Sequence, residues 1–393
     1  MTGASSPRAP RRGYAAGSLY AFVVLGIPDG MIGVAWPVLR HSFGQPLASL
    51  GELLLASLAG YLISTSAAGP VLRRDGAAVL LTGSAAAACA GAALYSAGAH
   101  WPLLVLGSLL IGAAGGGLDA ALNAVAAVTG RTRFMNVMHA CYGVGAGLGP
   151  LMVTVSLAAG STWRTAYAAL LVAEAALLVT WLAHRRSFPS LAAASGGGEP
   201  VAGGAARRRN GLVMLGLAVF CAYGGLEVGA ANWLASFLRG PAGLSGTLAG
   251  LTVFLYYAGL TGGRLAAAWL VTRVAPRQTI WAGVAGAIVG AALIWAGLGL
   301  AVTAPAVTLL GVSLGPIFPA LMNLTPGRLG ASTAISAVGW QLGAGAAGAS
   351  ALSAGMGVAL QAAGLGSFGP ILVALALTLA GVNLLLERAA PGA

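Results

Sequence analysis

Twelve apolar runs, each long enough to cross a bilayer, fix what this chain can become. A membrane-spanning helix takes about 20 mostly apolar residues. Such runs cover roughly 14–39, 48–72, 77–97, 101–128, 134–159 and 163–183, then 211–237, 244–271, 277–300, 303–325, 328–355 and 365–387. The breaks between them are small: Arg73-Arg74-Asp75, His100-Trp101-Pro102, Arg131-Thr132-Arg133, Gly160-Ser161-Thr162. Backbone in hydrocarbon must satisfy its own hydrogen bonds, so runs of this length are expected as helices joined by tight turns. Only 7% of the residues are charged, against about a quarter in a soluble domain. The fold class expected is therefore an all-α integral membrane protein with twelve transmembrane helices.

The formal net charge is +12, and all twenty basic residues are arginine. They punctuate the apolar runs and do not line one face, which argues against nucleic acid as a partner. With the N-terminus in the cytoplasm, seventeen of the twenty fall on cytoplasmic segments, Arg264 being counted near the cytoplasmic end of its helix. Arg40, Arg164 and Arg239 fall on the other side. That bias predicts an even number of spans with both termini inside, in a bacterial plasma (inner) membrane. The basic residues 1–13 precede a long helix and read as a retained signal-anchor. Cys89, Cys141 and Cys221 lie in apolar runs without ligand-like spacing, so they read as packing residues. No metal and no cofactor is expected.

The longest polar gap, 184–210, contains Arg185, Arg186, a Ser-Gly-Gly-Gly-Glu-Pro stretch and Arg207-Arg208-Arg209. Its composition suits a flexible linker. It divides the chain into a tail (1–13), a six-helix bundle (14–183), the cytoplasmic linker (184–210), a second six-helix bundle (211–387) and a tail (388–393). The halves echo each other. Asp29 and Glu227 are 198 positions apart, each six or seven residues before a tryptophan. Gly145-Ala146-Gly147 recurs 198 positions on as Gly343-Ala344-Gly345, and Asn123 has a weaker echo in Asn323, at 200. Parallel repeats of six helices are a transporter arrangement, with a cavity expected between the halves.

The stretches 26–37 (GIPDGMIGVAWP), 116–123 (GGLDAALN), 136–150 (NVMHACYGVGAGLGP), 223–233 (YGGLEVGAANW) and 315–319 (GPIFP) carry a family likeness. Over nearly its full length the chain resembles the major facilitator superfamily. Within it, the likeness is to the fucose/galactose/gluconate–proton symporter-like, or fucose permease-like, branch. The superfamily's loop motif between segments 2 and 3 is degenerate: 69–76 keeps the basic pair Arg73-Arg74 but not the full pattern, and its second-half counterpart survives only as Gly262-Gly263-Arg264. The resemblance implies two pseudo-symmetric six-helix bundles, alternating access, and functional acids in segments 1 and 4.

Polar residues inside the spans are the candidates for chemistry, because an ionisable group in hydrocarbon is expensive. Asp119 and Asn123 are four apart in segment 4 and share a helix face. Burial disfavours a charged carboxylate, which makes Asp119 a proton-coupling candidate; a neutral acid in a structural hydrogen bond is the alternative. Asn123 suits either a sugar hydroxyl or helix–helix bonding. Asp29 lies in Pro28-Asp29-Gly30, where the proline is expected to bend the helix. It is a candidate for proton coupling and for substrate binding, as is Glu227, its counterpart in segment 7. His139, with Tyr142 three residues on, could pair with Asp119 or sit neutral in the bundle. Trp36, Tyr142, Tyr223, Asn232, Trp233, Asn323 and Gln341 complete the expected substrate wall, with the two tryptophans equally suited to interfacial anchoring. Tyr256 and Tyr257 are weaker candidates. Glu174, mid-segment 6, reads either as facing inward or as snorkelling. Gly112, Gly116 and Gly117 and the runs around 143–149 and 339–348 allow close helix contact, while Pro150, Pro316 and Pro319 offer bends.

These features point to a monomeric secondary transporter using alternating access. The leading expectation is proton-coupled uptake of a small neutral polyhydroxylated solute such as a sugar, with protons as coupling ion and lipid as surroundings. A strongly anionic solute is disfavoured, because only Arg264 comes near a mid-helix position. The alternatives are proton-driven efflux of hydrophobic or cationic compounds, and a receptor or scaffold without transport. No nucleophile–base pair or metal spacing suggests an enzyme.

Overall fold

The computed structural model describes residues 12–128, 132–185, 206–270 and 273–390. Most of the expected linker, the first eleven residues, the last three and the turn at Arg131 lie outside the described residues. All regular structure among the described residues is helical: α1 (Arg12–Ser42), α2 (Leu50–Arg74), α3 (Ala77–Ala97), α4 (Trp101–Val128), α5 (Thr132–Ala158), α6 (Trp163–His184), α7 (Ala206–Arg239), α8 (Gly246–Leu270), α9 (Pro276–Ala296), α10 (Leu300–Leu314), α11 (Ile317–Leu329), α12 (Ala331–Ala363) and α13 (Phe368–Ala389).

Eleven spans among the described residues are long and apolar enough to cross a membrane, α10 and α11 together forming one of them. Helix α8 has the length, at 25 residues. It falls outside that set because Arg264 and its glycine, threonine and tyrosine neighbours lower its hydropathy. The tenth apolar run is thus two helices where the sequence suggested one bent span. Helix α10 closes at Leu314 and α11 opens after Pro316. Pro316 and Pro319 remove two consecutive-turn N–H donors at that point, and proline clashes with the preceding turn. Pro150, by contrast, sits within a continuous α5.

By internal contacts the chain forms two compact units. The first comprises Met1–Pro28, Ala56–Gly145 and Arg164–Gly196; the second comprises Asp29–Leu55, Ala146–Trp163 and Gly197–Ala393. In the first unit, the Tyr95 and Ser108 hydroxyls meet at 2.6 Å between α3 and α4. Tyr95 also stacks on Tyr167 of α6, with ring centroids 4.4 Å apart. Tyr20 of α1 donates to the Ala173 carbonyl of α6 at 2.9 Å. In the second unit, Gly224 lies against the Gly345 carbonyl and Gly348 against that of Cys221, which draws α7 and α12 together. The part of α1 beyond Asp29 belongs to this unit, where Gly33 sits against the backbone of Ala231 and Asn232.

The internal repeat is written in the packing. In the first unit, α2 and α4 approach through Gly60 against the Leu109 carbonyl, Gly112 against that of Ser57 and Gly116 against that of Tyr61. In the second, α8 and α10 do so through Gly259 against Thr308, Gly311 against Tyr256 and Gly315 against Leu260. Every one of these six positions in the second unit is its first-unit equivalent plus 199. Between membrane helices there is little hydrophobic driving force, so small residues that let backbones touch carry much of the association.

Candidate functional site

Each unit holds a polar cluster built around an acid within its spans. In the first, Asp119 of α4 is fully engaged. Its Oδ2 accepts from the Tyr61 hydroxyl of α2 at 3.2 Å, and its Oδ1 accepts from Asn123 Nδ2 at 2.7 Å. The second bond is the i, i+4 pairing expected from the helical repeat. The first exists because Gly116, one turn before Asp119 on α4, lets the α2 backbone come in at Tyr61. Asn123 Oδ1 is buried and has no hydrogen-bond partner, so an acceptor is left open beside the acid. His139 of α5 lies within electrostatic reach of Asp119 and meets the Phe22 ring edge-on, 5.1 Å between centroids.

The second cluster spans α7, α8 and the start of the second-unit part of α1. Glu227 Oε1 accepts from Arg264 Nη2 at 2.9 Å. The side chains are only 13% and 24% exposed. The Tyr256 hydroxyl donates to the Glu227 carbonyl at 2.7 Å. Tyr257 donates to the Asp29 carbonyl at 3.2 Å, and its ring crosses that of Tyr256 at 76°. Charges on Asp29, Glu227 and Arg264 all act on Tyr257. Two acids and one arginine are therefore within electrostatic reach of Tyr257, and Glu227 Oε2 is buried without a partner.

The remaining candidates are dispersed. Trp36 and Trp233 are fully buried. Trp233 Nε1 donates to the Ser353 carbonyl at 2.9 Å, and its ring occupies the groove left by Gly357. Asn232 donates to Ser353 Oγ at 3.1 Å. Tyr223 donates to the Leu314 carbonyl at 3.3 Å, at the terminus of α10, where helical carbonyls need outside donors. Gln341 is buried and accepts from Thr325 at 3.0 Å, apart from Arg264 in a small cavity also lined by Phe220 and Arg328. Asn323 is exposed on α11 and Tyr142 half-buried on α5. Glu174 is buried, with Oε2 unpartnered.

Tyr61 and the Arg264–Glu227 partnership were not legible as site features in the sequence. Tyr61 could have been found from the glycine pairing of α2 with α4. The partner of Arg264 depends on how α7 and α8 are rotated about their axes, which no linear spacing encodes.

A helical membrane protein with an internal repeat and a charged group held within the spans of each unit has the make-up of a transporter. The Major Facilitator Superfamily model matches residues 19–354, and the chain belongs to that family. It is a transporter of small molecules and not an enzyme. No curated protein matches it in sequence. Among solved structures, it is similar to the peptide transporter POT in complex with sulfate (14% identity, TM-score 0.73, covering 98% of this chain and 96% of that one). The D-xylose–proton symporter matches at 14% identity and TM-score 0.71 (94% and 97%). The E. coli fucose:proton symporter FucP matches at 17% identity and TM-score 0.62 (96% and 98%). At these identities the likeness concerns the fold.

Proposed function

We propose that this transporter couples proton movement to the uptake of a small polyhydroxylated solute by alternating access. One observation carries the reading: Asp119, within a membrane-spanning helix, has both carboxylate oxygens hydrogen-bonded, by Tyr61 and Asn123. A carboxylate in a low-dielectric site is held ionised only by such partners, so small changes around it exchange the ionised and neutral forms. His139 within electrostatic reach adds a second group able to bias that exchange. The open Oδ1 of Asn123 offers an acceptor for a solute hydroxyl. The expectation of a neutral solute rested on the acids at Asp29, Asp119 and Glu227, on the family resemblance and on how few bases lie within the spans, only Arg264 coming near a mid-helix position. The part-buried Arg264–Glu227 pair sets a base within the second unit and weakens the last of these grounds, so the reading is left open to a charged solute.

The arginine distribution supports cytoplasmic termini, and a bacterial inner membrane is the setting proposed for them. The 199-residue offset supports two six-helix halves, 14–183 and 211–387. Uptake into proteoliposomes with an imposed proton gradient, over a panel of sugars and polyols, tests the function. At least one solute should accumulate, a protonophore should collapse the accumulation, and Asp119→Asn should abolish it. Accumulation and pH response unchanged in Asp119→Asn would overturn the proton site.

A further inference from the structure

The Asp119 cluster leaves the second charged group unexplained. A buried ion pair adds little to stability when hydrophobic residues can replace it, and the repeat shows that this fold does not need one here. The position matching Arg264 in the first repeat is Thr65, 199 residues earlier, on the equivalent helix. Thr65 satisfies itself on the Tyr61 carbonyl at 2.7 Å.

We propose that Arg264 is the recognition group for a carboxylate on the transported solute, and that Glu227 is its resident counter-ion, displaced when the solute arrives. The inference rests on the chain being a transporter but not on the proton site at Asp119.

Three features support it. First, the resident pair uses the guanidinium poorly. Arginine presents five N–H donors in a fork that fits a carboxylate through two parallel bonds. Glu227 engages it through Oε1 alone, and among the described residues the other donors have no hydrogen-bond partner. The side chain is still 24% exposed, so those donors are open to a solute. Second, Glu227 Oε2 is buried with no donor. A solute carboxylate taking both arms of Arg264 would leave Glu227 without a counter-charge, and a carboxyl group so placed binds a proton. The charge then balances: one solute anion and one proton enter, and the cluster keeps its net charge. Third, the groups facing Glu227 are Arg264, Tyr256 and Tyr257 of α8 and, through Tyr257, Asp29 of α1. No other cation faces it among the described residues. Arg264 is thus the one cation there to meet a ligand carboxylate, and a second carboxylate on the ligand would have no counter-charge. The expected ligand is therefore a monocarboxylate.

The test uses the purified full-length protein and matched probes: D-glucuronate and D-galacturonate against D-glucose and D-galactose, with lactate and citrate as further acids. Binding is read by calorimetry in buffers of different ionisation enthalpy, which also reports proton uptake. The uronates should bind, with about one proton taken up, and citrate should not. Arg264→Gln should weaken the uronates roughly 10- to 100-fold, the loss expected for a charge-assisted hydrogen-bond pair, and Arg264→Lys should restore part of it. Glu227→Gln should bind uronates more tightly than wild type and without proton uptake. That arm keeps the test decisive if the Arg264 variants fail to fold, since unchanged affinity and proton uptake in Glu227→Gln would overturn the proposal. Failure of every monocarboxylate to bind wild type, or neutral sugars binding as well as their acids with Arg264→Gln no worse, would do the same. Binding of lactate but not of uronates would leave the proposal standing and remove the polyhydroxylated-solute reading. Coupled sugar accumulation undisturbed in Arg264→Gln would do the reverse.

Discussion

Gly112 of α4 lies directly against the carbonyl of Ser57 of α2, and the same contact recurs between Gly311 and Tyr256 in the second unit. A side chain at Gly112 has nowhere to go, because the obstacle is backbone and not a flexible side-chain tip. Gly112→Ala should therefore push α2 away from α4. Overpacking of this kind costs about 1–3 kcal/mol. Gly83→Ala is the control: no atom lies within 4 Å of its would-be Cβ, and alanine is the better helix former. Thermal unfolding in detergent should show a clear loss for Gly112→Ala and none for Gly83→Ala. Equal midpoints would mean that the glycine contact does not hold the helices together.

The same contact shows what the sequence could and could not convey. The helices were legible because hydrocarbon demands apolar runs of fixed length, and α3, for example, covers the expected 77–97. The Asp119–Asn123 bond was legible because it is local and follows helical spacing. The repeat was visible at Asp29 and Glu227 as an offset of 198, but its packing register of 199 appears only when glycines are paired with the carbonyls they touch. Tyr61 was invisible for the same reason: an isolated tyrosine in an apolar run carries no pattern, and its meaning comes from the helix opposite. The division of segment 10 was half legible. Its prolines promised a bend, and whether a bend becomes a break depends on outside donors for the freed carbonyls, such as Tyr223 at Leu314.

The wall around Trp233 makes a structural prediction. The indole is fully buried, and its N–H is satisfied by the Ser353 carbonyl on α12. Trp233→Phe keeps most of the apolar volume but deletes that donor. The Ser353 carbonyl keeps its place in the α12 backbone ladder, so the loss is that of one additional hydrogen bond, about 0.5–1.5 kcal/mol. The variant should lose stability by that order in detergent, while its affinity for any bound solute stays near wild type. A selective loss of binding with an unchanged melting midpoint would instead place the ring at the solute.

The last prediction concerns the joint between α9 and α13. Glu387 is nearly buried, and it accepts from Arg277 Nε at 3.0 Å and from Trp281 Nε1 at 3.0 Å. Arg277 is 66% exposed, so its ion pair is open to screening and contributes little, about 0–1 kcal/mol. The Trp281 N–H donates to both oxygens of this carboxylate, and it is the more sheltered of the two contacts. The two contacts can be separated by mutation. Arg277→Gln should change stability by less than about 1 kcal/mol. Glu387→Ala should cost about 1–3 kcal/mol, because it takes the charged acceptor from the half-buried Trp281 indole N–H. Melting curves at low and high salt decide between them: the difference between wild type and Arg277→Gln should shrink with salt, and that for Glu387→Ala should persist. A Glu387→Ala deficit that vanishes at high salt would show that the charge, and not the indole bond, fastens the terminal helix.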